Sequence, residues 1–342
     1  MTDISIRIAG HAGRITLQRP KALNAVTADM CSTIEAALDD WRDNDAVKLV
    51  IIDAIGDKAF SAGGDIADLY KTGKAGDFTY GRNFWRDEYR MNAKLHDYPK
   101  PIVSFLQGFT MGGGMGVGCH GSHRIVGETS QISMPECGIG LVPDVGGSMI
   151  LANAPGWLGA YAGTTGARLN AGDAILVGFA DMYIPEAQWP ALITALEHTG
   201  DPACLAPAAT TPPQGELDRN RAAIDQHFAA RSLPDLLASL RAEDTDFAQS
   251  TLKSLLRASP LSVAYTLEMM HRLRDTTDIR TALDMEYRFT SRAMEHGDFL
   301  EGIRAAIIDK DRAPNWKHDH DSLPDTALQT MLAPLGQNSL NF

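Results

Sequence analysis

Ile102-Val103-Ser104-Phe105, then Gly108-Phe109-Thr110-Met111-Gly112-Gly113-Gly114, then Met115 to His120, is the stretch from which the architecture of this chain is read. A short apolar run suited to a buried strand gives way to a glycine loop, and the loop opens a helix of small residues. The same order occurs upstream. Leu49-Val50-Ile51-Ile52 is a second buried-strand run, and Phe60-Ser61-Ala62-Gly63-Gly64-Asp65 passes through a glycine turn into helical Ile66 to Tyr70. Two comparable turns of strand, loop and helix predict one α/β architecture.

Working outward, Ile4-Ser5-Ile6-Arg7-Ile8 and Arg14-Ile15-Thr16-Leu17 alternate apolar and polar residues around a Gly10 to Gly13 turn, the pattern of a half-buried hairpin. Thr27 to Trp41 has helical spacing. Asp201 to Gly215 is rich in Pro, Ala and Thr and reads as a linker. Beyond it, Leu217 to Phe228, Leu233 to Leu240, Phe247 to Arg257, Leu261 to Leu273 and Ile279 to Met294 carry apolar residues three and four apart, with Pro260 where a helix begins. The expected organisation is a core over residues 1–200, a linker over 201–216 and a helical region over 217–342. The tail after Lys317 lacks periodicity and is expected to be partly mobile.

The chain has 342 residues, 44% hydrophobic and 22% charged, enough for a sizeable core and an appended unit. A net charge of −12 without a long Lys/Arg run argues against a nucleic-acid partner, since phosphate-backbone binding needs clustered positive charge. A phosphorylated small molecule stays open, because it needs only a few local cations or helix N-termini. The four cysteines, Cys31, Cys119, Cys137 and Cys204, form no CxxC pair, and Met1-Thr2-Asp3-Ile4 resembles neither a secretory signal nor an Arg-rich presequence. A reducing, cytoplasmic location is expected. No apolar run reaches membrane-spanning length, so no membrane partner is expected.

Two glycine loops and two acids carry the chemistry. Amides near Gly64 and at Gly113 lie at helix starts, and two such N–H groups converging on one point would form an oxyanion hole, where glycine lets a carbonyl approach the backbone closely. Taken alone, each loop reads as a tight turn or packing device. Glu136, in Ser133-Met134-Pro135-Glu136, lies beside apolar Met134 and Ile139, surroundings that raise a carboxylate pKa. It could activate water or attack a carbonyl. Asp144, in Pro143-Asp144-Val145-Gly146-Gly147, belongs to a loop or a helix N-terminus. Read structurally instead, Glu136 is a hydrogen-bond acceptor and Asp144 a helix cap. Cys119, His120 and His123 read as packing residues and no metal site is expected. Ser61 and Ser133 have no histidine in a triad motif, and Cys137 reads as a small buried neighbour of Glu136. Lys310, Arg312 and Lys317 could meet phosphates or sit in a solvated tail.

Ala62-Gly63-Gly64-Asp65, Gly108 to Gly116, Met134-Pro135-Glu136 and Gly140-Leu141-Val142-Pro143-Asp144-Val145-Gly146-Gly147 resemble the crotonase (enoyl-CoA hydratase/isomerase) superfamily. Within it they look most like the 3-hydroxyisobutyryl-CoA hydrolases. The likeness extends to Met285-Glu286-Tyr287-Arg288, Phe299 to Ala305 and Ile308 to Trp316, and so covers nearly all of the chain.

The resemblance implies a crotonase-like spiral of ββα units with a C-terminal helical region. It implies an acyl-CoA thioester substrate whose oxygen is held by the amides of Gly64 and Gly113, with Glu136 and Asp144 catalytic. Glu88, Gly113, Glu136 and Asp144 would bind substrate; on its residues alone Glu88 reads as a solvated helix position. Family hydratases use a pair of glutamates, and the first falls at Gly116 here. Thioester hydrolysis is therefore expected, in valine breakdown, with coenzyme A as part of the substrate and no cofactor. A hydratase or isomerase, or a non-catalytic binding protein of the same fold, is the alternative. Family members assemble as homo-oligomers, which the helical region could prevent here.

Overall fold

A computed structural model describes residues 2–342. It groups the chain into two compact units. One holds the chain up to Asp65 with 87–133 and 168–216; the other holds 66–86, 134–167 and 217–342.

The first unit contains the strands. Among the described residues these are β1 (Ile4–Ala9), β2 (Ala12–Leu17), β3 (Leu49–Ala54), β4 (Ala59–Ser61), β5 (Ile102–Phe105), β6 (Phe109–Met111), β7 (His123–Val126), β8 (Gln131–Ser133) and β9 (Met182–Tyr183). β1 and β2 form the expected antiparallel hairpin, with Ile4 opposite Leu17. The larger sheet runs β1-β2-β3-β5-β7-β9 and the smaller runs β4-β6-β8. From β3 onward successive strands alternate between the sheets, and every neighbouring pair from β2 on is parallel. β3, β5 and β7 of the large sheet are thus each followed by a strand of the small sheet and then by helix or turn, which is the ββα spiral.

Strand periodicity sends alternate residues to opposite faces of the large sheet. Leu49, Ile51, Val103, Phe105 and Ile125 pack with Trp189 and Leu196 of the helix Trp189–Thr199. The other face receives the helix Ala28–Arg42, whose N-terminus is capped by the Thr27 hydroxyl accepting from the Met30 amide at 3.2 Å. A Cβ at Gly13 would lie 2.4 Å from the Trp41 ring, so a glycine is needed where that indole meets β2.

Residues 201–216 are packed rather than a spacer. Pro202–Cys204 and Ala206–Ala208 form short 3-10 turns, Leu205 is fully buried in the same apolar cluster, and the Thr210 amide donates to the Tyr183 carbonyl at 2.9 Å. Prolines at the turn starts need no N–H there, so a Pro/Ala-rich composition is compatible with a folded segment.

The second unit is helical. Its predicted helices occur as Glu216–Phe228, Leu233–Arg241, Asp246–Leu255, Pro260–Leu273 and Ile279–Ala293. The helix Pro260–Leu273 is buried along most of its length; Ser259 caps it and Pro260 takes its first position. The tail is anchored rather than mobile: Met331 and Leu332 are buried, and Arg292 donates to the carbonyls of Met331 at 3.2 Å and Ala333 at 2.8 Å. No helix among the described residues is long and apolar enough to cross a membrane.

Candidate active site

In the first unit, the loop after β4 is pinned to the segment before the helix Ala28–Arg42. The Ala62 amide donates to the Leu23 carbonyl, the Val26 amide to the Gly63 carbonyl and the Asp65 amide to the Val26 carbonyl, at 2.8–2.9 Å. That bridge uses the Gly63 carbonyl and the Asp65 amide, so the Gly64 N–H takes no part in it. Gly63 sits at φ +115°, a backbone region that glycine enters without a side-chain clash.

After β6, Gly112 at φ +46° turns the chain into the helix Gly113–Gly118, whose first amides lack intrahelical acceptors. A Cβ at Gly113 would lie 3.1 Å from the Gly64 nitrogen and 2.8 Å from Glu88 Oε1. Gly64, Gly113 and Glu88 are therefore brought together. Glu88 is only 2% exposed, which corrects its reading as a solvated helix position. Gly116 is buried in the same short helix and presents no side chain.

In the second unit, Glu136 opens the 3-10 turn Glu136–Ile139 and is buried. The turn is held at several points. The Glu136 carbonyl accepts from the Leu141 amide at 3.0 Å, the Cys137 carbonyl accepts from the Ser259 amide at 2.9 Å, and Gly140 at φ +74° ends the turn against the Asp298 backbone. Burial pushes the Cys137 thiol up to about 12, despite its 3.3 Å contact with the Thr266 hydroxyl, so this cysteine is inert packing as expected.

Asp144 is 4% exposed and precedes the helix Gly147–Ala152. A second acid, from another helix, caps this helix start. Glu286, in the helix Ile279–Ala293, accepts from the Gly146 amide at 2.9 Å through Oε2, and through Oε1 from the Ser148 amide at 3.2 Å and the Ser148 hydroxyl. Glu286 is fully buried. Burial first, and the charge of Asp144 second, push its carboxyl up to about 8 against the three donors that favour the charged form.

Glu286 escapes a residue-by-residue reading, although its signal is present. It occupies the buried stripe of its helix with Ile279, Ala282, Leu283 and Phe289, where a lone acid needs polar partners brought from elsewhere.

The enoyl-CoA hydratase/isomerase family matches residues 12–332. The 3-hydroxyisobutyryl-CoA hydrolase, mitochondrial, of Gallus gallus is 34% identical over 99% of this chain and 91% of its own length. Its counterpart from Danio rerio is 36% identical over 92% and 85%. Among solved structures, an enoyl-CoA hydratase from Rhodobacter sphaeroides is 56% identical, covers both chains fully and superposes with a TM-score of 0.96. With its alternating ββα spiral and a match running almost end to end, the chain belongs to the enoyl-CoA hydratase/isomerase family.

Proposed function

We propose that the chain hydrolyses the thioester of 3-hydroxyisobutyryl-CoA, giving 3-hydroxyisobutyrate and coenzyme A in valine breakdown. The observation that carries the reading is a pattern of acids: Glu136 and Asp144 are both buried on one segment, while the position of the first hydratase glutamate is Gly116. Curated relatives matched along nearly the whole chain are named for this hydrolysis.

In this reading the amides of Gly64 and Gly113 hold the thioester oxygen as negative charge develops on it, without a metal. Glu136 either attacks the carbonyl carbon, expelling the CoA thiolate and leaving a mixed anhydride that water then cleaves, or takes a proton from the attacking water. Asp144 accepts the substrate 3-hydroxyl and assists proton transfer to the leaving sulfur. Glu88 adds polar recognition beside Gly113. Water is the only co-reactant, so no cofactor is required. A site that buries groups for a hydroxyl discriminates against acyl chains that lack it, since those groups would go unpaired.

The Rhodobacter sphaeroides protein is named as an enoyl-CoA hydratase, and its likeness to this chain favours hydration as a second reading. A glycine at position 116 counts against it, because addition of water across a double bond in the family uses two acids. Measuring CoA thiol release and crotonyl-CoA hydration side by side decides between them; hydration without thiol release refutes the hydrolase reading. We place the protein in the cytoplasm, supported by four unpaired thiols that a reducing compartment maintains. Assembly into a homo-oligomer completes the proposal and is checked by light scattering, where the mass of one 37.0 kDa chain would exclude it.

A further inference from the structure

The Asp144 loop has an uncommon conformation. Val145 lies at φ +53° and Gly146 at φ +77°. A β-branched residue in the left-handed region is strained and persists only where its surroundings over-determine it. Neighbours press on the loop from both sides of Asp144: a Cβ at Gly147 would lie 2.9 Å from Met134 Cε, and a Cβ at Gly163 would lie 3.2 Å from Pro143 Cγ. Packing fixes where the loop goes. The polar constraint comes from Glu286, which collects the amides on both sides of Gly147 and the Ser148 hydroxyl.

A fully buried carboxyl 140 residues away in sequence is a costly way to cap a helix of six residues. Other helices of the chain that carry a side-chain cap take it from the residue just before them, as at Ser232, Thr245 and Asp278. The charge of Asp144 also acts on Glu286, so the two carboxyl groups sense each other as well as sharing a loop.

We infer that Glu286 is a positioning residue that holds Val145 and Gly146 in their left-handed conformations and thereby fixes the orientation of the Asp144 carboxylate toward the substrate 3-hydroxyl. The inference rests on the reading of Asp144 as the hydroxyl-binding group. Glu286 itself touches no reacting atom. Its effect is on the advantage that a hydroxylated acyl chain has over a plain one.

The test compares kcat/KM for 3-hydroxyisobutyryl-CoA and isobutyryl-CoA in the wild type, Glu286→Ala, Glu286→Gln and Asp144→Asn. Glu286→Ala is expected to lower the rate on the hydroxylated thioester roughly 30-fold or more and that on isobutyryl-CoA less than about 5-fold. Glu286→Gln keeps one accepting oxygen but sets its NH2 group against the other backbone N–H donor, so it should recover only part of the ratio. Equal losses on both thioesters, or an unchanged ratio, overturn the inference.

Asp144→Asn separates the two levels. If it abolishes the preference for the hydroxyl while Glu286→Ala keeps it, the positioning role fails and the Asp144 reading stands. If Asp144→Asn keeps the preference, the Asp144 reading itself fails. Should Glu286→Ala not fold, Glu286→Gln carries the same ratio, and no change in it overturns the proposal. A wild type that cleaves neither thioester overturns the functional reading and this inference with it.

Discussion

At Gly113 a single methyl group would stand 3.1 Å from the Gly64 nitrogen and 2.8 Å from Glu88 Oε1, so the residue scale already decides much of the chemistry. Gly113→Ala keeps the N–H but sets a methyl group where a substrate oxygen would approach it. It is expected to lower turnover about 100- to 1000-fold, as for an oxyanion donor put out of use, with a lower unfolding temperature from the crowding against Glu88. Steady-state kinetics with a melting curve checks both parts, and an unchanged turnover contradicts the placement of the oxyanion donors. Gly64, Gly113, Glu136 and Asp144 stand out in the sequence as glycine loops and proline-flanked acids, and their site roles are what the family resemblance implies. Glu286 does not, since what makes it matter is a loop 140 residues distant. Its titration gives a second test. The folded pKa of about 8 exceeds the reference value of 4.5, so between these the folded chain holds a proton that the unfolded chain has released. That group's contribution to stability is therefore full at low pH and falls as pH rises through the window. The unfolding midpoint of the wild type relative to Glu286→Gln should decline between pH ~5 and pH ~8. A constant difference across that range contradicts the assignment.

At the scale of elements, the periodic segments are legible because apolar spacing is local. The hairpin β1–β2, the buried strand β3 and the helices from Glu216 to Ala293 lie where the pattern puts them, within a residue or two. Segments lacking a period mislead. Asp201 to Gly215 looks like a spacer in composition, yet Leu205 reaches the cluster of Leu49, Val103 and Trp189, with Cys204, Ala208 and Ala209 packed beside it and the Thr210 amide bonded to Tyr183. Leu205→Ala should cost about 2–5 kcal/mol by chemical denaturation, as for a core leucine. A loss under about 0.5 kcal/mol, typical of surface positions, would restore the linker reading. The tail after Lys317 misleads for a similar reason. Its anchoring comes from Arg292 collecting carbonyl oxygens at the end of the helix Asp325–Leu332, and carbonyls leave no mark on sequence.

For the whole molecule, the compact units are assembled from interleaved stretches of chain. Residues 66–86 and 134–167 precede the Pro/Ala-rich segment, yet they group with 217–342. Compositional shifts mark positions along a chain and carry no information about such grouping, whereas the family resemblance spans nearly the entire sequence and implies the spiral directly. The interleaving explains why Asp144 depends on a residue of the C-terminal helices. The central claim is thioester hydrolysis with Glu136 as its main carboxylate. Thiol release from (S)-3-hydroxyisobutyryl-CoA, followed beside crotonyl-CoA hydration in the wild type and Glu136→Gln, tests it most directly. The account predicts thiol release that falls about 100- to 10,000-fold on substitution, with negligible hydration throughout. Full thiol release by Glu136→Gln, or hydration without thiol release by the wild type, would contradict it.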